Sequence, residues 1–301
     1  MLKVKFYLKT LLRNNFVLSI LFSKISSILS FFFDGYYCKI EKYDTYWLHH
    51  CSFGVIAYWH VVFRPEQKFN NSNLTFFSIY IPKKNDVVIE LGSGIGNETL
   101  VISKLIGRSG KIICLEPHPK IYDYLLKTIS FNQLRNVNPE QKVMSYSKKE
   151  LSFSDLEEDW IKNKVLENGP IKIQSISIDD LILKYEIESI NFLKCNIEGA
   201  EIELLNIKKE NIKKIQNICI ECHDFLKAKD NSLNTYDVLV NFLKRNDFEI
   251  YDNYKKNTKF PHLNYYIYAS RLSIDKEKIF FNLRNKNDYI YFNKILRNKL
   301  K

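Results

Sequence analysis

From residue 86 onward the chain alternates short continuous apolar runs with stretches whose apolar residues recur every three or four positions. Continuous runs bounded by Gly, Pro or Asn read as buried strands, and the three-to-four spacing reads as helix. The pattern predicts strands over 86–91, 111–115, 142–146, 190–195 and 216–221. It predicts helices over 97–106, 119–132, 179–184, 199–206 and 234–245. Residues 172–178 alternate and predict an extended edge segment, while 148–169 are polar and irregular. Segments 247–253 and 263–270 predict a closing antiparallel pair. Strands that alternate with helices build a parallel sheet covered on both faces. The fold class is therefore α/β: a doubly wound sheet, mostly parallel, with an antiparallel closing strand and an N-terminal helical extension.

That extension opens with residues 16–33, the most apolar stretch of the chain. As a helix it reaches about 27 Å, slightly short of a bilayer core. Lys24 sits near its middle, and Ser19, Ser23, Ser26 and Ser30 form one polar stripe. Three arrangements stay open: a helix lying in a membrane interface, one docked on the domain, and one that spans. No small-residue cleavage site follows, which argues against a signal peptide. Residues 34–83 are rich in aromatics, including Tyr36, Tyr43, Trp47, Tyr58 and Trp59, and are expected to form a cap. The chain thus divides into an apolar and basic helix (1–33), the cap (34–83), the α/β domain (84–272) and a basic tail (273–301).

The turn after the first predicted strand carries the chemistry. Asp86-Val-Val-Ile-Glu-Leu-Gly-Ser-Gly-Ile-Gly-Asn-Glu98 ends an apolar run in a carboxylate, Glu90, followed by Gly92, Gly94 and Gly96 at alternate positions. Glycine allows both the tight turn and the close approach of a ligand to bare backbone. Nicotinamide and flavin sites expect G-x-G-x-x-G, with helix amides aimed at a pyrophosphate. Here the spacing is G-x-G-x-G with Asn97 next. Glu90 repels a pyrophosphate and attracts a cationic amino acid. S-adenosylmethionine carries an ammonium and a sulfonium and has no phosphate. The second predicted strand ends in Glu116-Pro117, and Glu116 lies at the distance along the chain where an acid accepts from ribose hydroxyls. Glu90, Gly92, Ser93, Gly94, Gly96, Asn97, Glu116 and Pro117 are the candidate cofactor residues, and S-adenosylmethionine is the candidate cofactor.

Taken together, residues 86–270 resemble the FkbM family of S-adenosylmethionine-dependent methyltransferases. Glu90-x-Gly92-x-Gly94-x-Gly96 is similar to the family's first motif, and Glu116-Pro117 followed by Pro119 to its E-P-x-P. Asn132 and Asn136-Val137 fit its asparagine-bearing helix end, although Thr128 replaces the first asparagine. Ile176-Ser-Ile-Asp179-Asp180-Leu181 resembles T-L-D-D-L. Phe192-Leu-Lys194-Cys-Asn196-Ile-Glu198-Gly199-Ala-Glu201 resembles F-L-K-I-D-V-E-G-A-E, and Ile220-Glu221-Cys-His223 resembles I-E-x-H. The resemblance implies a class I methyltransferase, Rossmann-like sheet and a glycan or other hydroxylated small metabolite as acceptor. It also adds Asn196 to the cofactor candidates. Asn196 stands where the family usually has Asp; an amide keeps the hydrogen-bonding shape without the charge. That departure leaves open a binding or scaffold protein that has lost turnover, and the doubly wound sheet alone leaves open a nicotinamide oxidoreductase.

Transfer to a hydroxyl benefits from a general base, typically by about 10²–10⁴-fold. Glu198 and His223 follow the fourth and fifth predicted strands, where open sheets place ligands. They are the catalytic candidates, with His223 favoured by its ordinary pKa; Glu198 as a helix cap and His223 as a structural histidine are the alternatives. Lys194 and Glu201 are expected to be a structural pair or solvated charges. His49, His50 and His60 show no diagnostic metal-ligand spacing, so no metal is assigned. The absence of an Asn/Asp-Pro-Pro-Tyr run disfavours methylation of a base nitrogen.

The net charge of +11 invites a nucleic-acid reading, but its distribution opposes one. Lys3, Lys5, Lys9 and Arg13 stand in residues 1–14 without an acid, and eight bases face three acids in 273–301. A nucleic-acid enzyme needs a basic face around its site; basic termini suit an anionic membrane surface better. The six cysteines read as small buried side chains of a reducing compartment. The expected location is cytoplasmic, with peripheral membrane association through residues 1–33 and the basic tail.

Overall fold

The computed structural model describes residues 15–147, 149–155, 165–166, 168–224, 234–251 and 264–273, with 294, 296 and 298. Helix α1 (Phe16–Asp34) leads into an antiparallel meander of β1 (Lys39–Tyr43), β2 (Tyr46–Cys51) and β3 (Gly54–Tyr58), followed by α2 (Pro65–Phe76). The α/β unit then runs β4 (Val87–Leu91), α3 (Asn97–Ile106), β5 (Lys111–Leu115), α4 (Pro119–Phe131) and β6 (Val137–Glu140). A small insert follows with β7 (Val143–Met144), β8 (Glu150–Phe153), β9 (Val165–Leu166) and β10 (Ile171–Ile176). Next come α5 (Ile178–Lys184), β11 (Ile190–Cys195), a 3₁₀ turn over Glu201–Asn206, α6 (Lys209–Ile212) and β12 (Ile215–Glu221). Helix α7 (Tyr236–Arg245), β13 (Glu249–Tyr251) and β14 (Tyr266–Ser270) close the fold.

The main sheet has seven strands in the order β13-β14-β12-β11-β4-β5-β6. Pairs from β6 through β12 are parallel, and β14 joins β12 and β13 antiparallel. Strand order reverses on the two sides of β4, so the crevice at its carboxyl end is the switch point where ligands of open sheets bind. This is the expected doubly wound, mostly parallel sheet with its antiparallel closing strand.

Alternation along the strands separates two buried layers. Ile89, Leu91, Ile113, Leu115, Leu193 and Cys195 pack with α5 and α7 on one face. Val88, Ile112, Cys114 and Phe192 pack on the other face with α3, α4 and residues of β1–β3 and α2. Residues 34–83 therefore share a core with the sheet. Asn132 at the end of α4 fixes the junction, because its side chain accepts from Val55 N and donates to Val55 O.

Three expectations need correction. The third strand of the main sheet is β6 rather than 142–146. Asn138, Pro139 and Glu140 hide it, since Pro suits an edge strand that needs fewer donors. The more apolar Val143–Met144 pairs with β10 in a separate four-stranded sheet, order β7-β10-β8-β9. The segment expected at an edge over 172–178 is thus interior to that smaller sheet. The helix expected from 199 begins at Glu201 and is 3₁₀, because Glu198 and Gly199 both adopt positive φ, 54° and 99°. The expectation for the tail 273–301 lies almost wholly outside the described residues.

Candidate active site

The glycine corner is stapled to the neighbouring strand before any ligand is considered. Gly92 N and Ser93 N both donate to Leu115 O, at 3.0 and 2.9 Å. Gly92, Gly94 and Gly96 have φ of 73°, 54° and 86°, a region that non-glycine residues enter only with strain. The glycines also make room. A Cβ on Gly92 would lie 1.8 Å from Asn196 O, and one on Gly96 2.7 Å from Leu125 Cδ1. The corner is therefore squeezed between the end of β11 and helix α4.

Glu116 closes the corner from the β5 side. Its Oε2 accepts from Gly94 N at 2.9 Å and its Oε1 from His118 N at 3.0 Å. Burial raises its pKa to about 7, against the pull of those two backbone donors. Pro117 stiffens this loop, and His118 Nε2 meets Asp155 Oδ1 at 3.1 Å.

Glu90 lies beneath the corner, fully buried. Thr99 Oγ1 donates to its Oε2 at 2.6 Å, and Lys194 Nζ stands 3.5 Å from its Oε1. Lys194 donates to Gly92 O at 2.6 Å and sits 4.8 Å from the centre of the Phe76 ring. The parallel register of β4 and β11 puts Lys194 opposite Glu90. Burial raises the Glu90 pKa to about 7, only partly offset by Lys194. Burial alone would lower Lys194, but Glu90 and Glu98 outweigh it and its pKa is raised.

On the β11 side, Asn196 N donates to Leu91 O at 3.0 Å, whereas its buried Oδ1 has no hydrogen-bond partner among the described residues. Asn97, expected at the ligand, turns its amide to Ser72 Oγ and Glu98 Oε1, each at 2.8 Å. It fixes α2 to the first turn of α3.

Glu198 and His223 do come together across the ends of β11 and β12. His223 Nε2 lies 3.2 Å from Glu198 Oε2, and His223 Nδ1 lies 2.8 Å from Glu201 Oε1. Glu201 is fully buried and also accepts from Gly199 N at 3.1 Å. Burial works against a charged imidazole here, but the two carboxylates outweigh it and raise the His223 pKa to about 11. His223 is therefore already protonated at neutral pH, which corrects its ranking as the preferred base. The Glu198 side chain is 22% exposed against 4% for His223, so Glu198 is the one that faces solvent.

Lys194 and Glu201 are not paired with each other, as the sequence suggested; each holds a different member of the site. Strand register was the missing signal for Lys194. The i+3 step from Glu198 hides Glu201, because the left-handed turn at 198–199 redirects it. The histidines of the first third have separate hydrogen-bond partners: His50 on Glu41, His49 accepting from Val62 N and His60 bonded to Val61 O.

The sequence model of the methyltransferase FkbM domain matches residues 90–250. Over 152 residues the chain is 27% identical to the hexuronic acid methyltransferase AglP of Haloferax volcanii, covering 49% of this chain and 60% of that protein. The chain thus spans less than two thirds of that relative's length. Among solved structures, Aeropyrum pernix fibrillarin with natively bound S-adenosyl-L-methionine has a TM-score of 0.41 at 16% identity, covering 76% of this chain and 97% of that one. A SAM-dependent O-methyltransferase of Thermotoga maritima has a TM-score of 0.37 at 13% identity, covering 72% and 68%.

Proposed function

This chain belongs to the FkbM methyltransferase domain family, and from that premise we propose that it methylates a hydroxyl oxygen of a glycan or other hydroxylated small metabolite. Membership makes it an S-adenosylmethionine-dependent methyltransferase and removes the nicotinamide reading. When bound, the donor supplies an electrophilic methyl on a sulfonium, together with an ammonium and ribose hydroxyls as handles. The residues at the corner suit it. Glu116 keeps acceptor capacity beyond Gly94 N and His118 N, and Asn196 Oδ1, without a partner among the described residues, offers a second acceptor.

The observation that supports oxygen as the target is the Glu198–His223 pair, which follows the carboxyl ends of β11 and β12 on the sheet edge that also carries the glycine corner. Glu198 is the carboxylate placed to take the acceptor's proton. His223, held as imidazolium by Glu201, keeps Glu198 oriented. A hexuronic acid methyltransferase among the relatives favours sugars as the acceptor class. We place the work in the cytoplasm, where six free buried thiols stay reduced.

Labelled donor incubated with uronic acids, neutral glycosides and nucleic acid tests the proposal. A mass gain of one methylene on a sugar hydroxyl is expected. Glu198→Gln should lower kcat by about 10²–10⁴-fold while leaving donor Kd unchanged. Methylation of nucleic acid or of a nitrogen, with sugars untouched, overturns the reading. Asn196 favours one second reading, a protein that binds the donor without turnover. Turnover by Asn196→Asp alone would establish that one.

A further inference from the structure

A surface helix of an α/β protein ordinarily buries its apolar stripe and shows its polar one. Helix α1 does the reverse. Ser19, Ser23, Ser26, Ser27 and Ser30 are its buried residues. Val17, Leu21, Ile25, Ile28 and Phe32, spaced at four, four, three and four, are 45–74% exposed. The serine side is fastened to the protein. Ser26 Oγ donates to Val62 O and accepts from Arg64 N, both at 2.9 Å. Arg64 pairs with Asp34 and lies 4.9 Å from the Phe33 ring centre. The small serines let the helix backbone lie close to the loop after β3, and among the described residues none covers the large side chains on the other face.

We propose that α1 lies flat in the interface of an anionic bilayer, with its serine face on the protein and its apolar face in lipid. Charge favours lipid as the occupant. Asp34, the one acid in the helix, has a fully buried side chain in the Arg64 pair. Lys24 is exposed, and Lys3, Lys5, Lys9 and Arg13 precede the helix in the sequence without an acid. Such a cluster is drawn to anionic headgroups, whereas a second copy would bring like charges together. Phe31, Phe32 and Phe33 add exposed apolar surface at one end, and the exposed Tyr37 beyond them is of a residue type enriched at membrane interfaces. The 19 residues have the length and hydropathy to cross a membrane. However, the Ser26 bonds tie the helix middle to the folded domain, and Lys24 opposes burial at the bilayer centre.

The test floats the full chain with phosphatidylcholine vesicles, with and without about 30% phosphatidylglycerol. Binding to the anionic vesicles should be at least about tenfold tighter and should weaken with added salt. Leu21→Asp with Ile25→Asp alters only exposed positions. It should lose at least about tenfold in binding while its circular dichroism and its thermal shift with S-adenosylmethionine match the parent. Three results overturn the proposal. One is absence of vesicle binding by the folded parent. Another is a dimer in sedimentation that the double variant dissociates, which makes a second copy the occupant. The third is resistance to alkaline carbonate extraction from membranes, which makes α1 a span.

Discussion

Lys194→Met isolates the charge buried beneath the glycine corner. Lys194 is 1% exposed and Glu90 0%, and the ammonium holds both Gly92 O and the Glu90 carboxylate. Methionine keeps most of the side chain's volume and removes the charge and the donor. Stranding one member of a buried pair costs about 3–5 kcal/mol. Glu90 can avoid part of that by taking up a proton, since burial already lifts its pKa from 4.5 to about 7 and loss of Lys194 lifts it further. A carboxyl raised in the folded state favours folding fully below pH 4.5 and loses that contribution as pH climbs through about 7. Below this range of loss the variant differs from the parent mainly by one charged hydrogen bond, about 1.5–3 kcal/mol. Above pH 7 the parent's native and unfolded states carry the same charge at this position, so its stability levels off. The variant's native state still holds a proton that its unfolded state has released. Its stability therefore keeps falling by about 1.4 kcal/mol per pH unit, or about 2 kcal/mol more than the parent by about pH 8.5. Urea unfolding across pH, repeated for Glu90→Gln and the double variant, measures this. The double variant should abolish the extra slope. Parallel pH curves for the parent and Lys194→Met, or strictly additive losses in the double variant, would refute the buried pair.

Gly92→Ala should destabilise the protein by about 2 kcal/mol or more and abolish donor binding, because its Cβ would meet Asn196 O at 1.8 Å with φ at 73°; calorimetry reads both. Glu116→Gln puts an amide N–H against either Gly94 N or His118 N, and titration calorimetry should show donor affinity down about 10–100-fold. Because burial raises Glu116 to about 7, donor affinity in the parent should rise as pH climbs through that value, and a flat profile would argue against the carboxylate as the ribose acceptor. Nitrogen-15 NMR should find His223 doubly protonated through about pH 9 and released at lower pH in Glu201→Gln; titration near its ordinary value would dissolve the two-carboxylate clamp. Asn196→Asp adds a carboxyl where two others already sit near pH 7, so it should lose more stability at about pH 8 than at about pH 6, and a pH-independent loss would contradict that.

The central strands were legible because burial on both faces leaves an unbroken apolar run. Residues 111–115 and 190–195 match β5 and β11 to the residue, and the glycine spacing marked the start of α3 at Asn97. Edge strands carry a weaker pattern. In β6 the burial is partial along Val137–Pro139, and what holds it is pairing with β5, which no periodicity records. The serine stripe of α1 was legible as a stripe but not in its direction. Small polar side chains face a protein surface when close backbone approach and the hydrogen bonds of Ser26 outweigh the loss of apolar burial.

Site chemistry followed the same division between what is local and what is paired. Gly92, Gly94, Glu116 and Asn196 stand within one turn of the carboxyl end of their strands, and the sequence placed them by motif. The protonation of those groups depends on partners brought in by register and by the turn at Glu198–Gly199. An isolated histidine titrates near neutrality and makes a natural base. Set 2.8 and 3.2 Å from two carboxylates, the same imidazole is a fixed cation, and the base we propose is Glu198, the exposed member of the trio. Glu90 moves the opposite way, from an expected ionised anchor for a ligand's ammonium to a buried carboxyl poised near neutrality against the chain's own ammonium. In both cases the residue type was readable in the sequence, whereas its charge state emerges only when neighbouring strands bring their ends together.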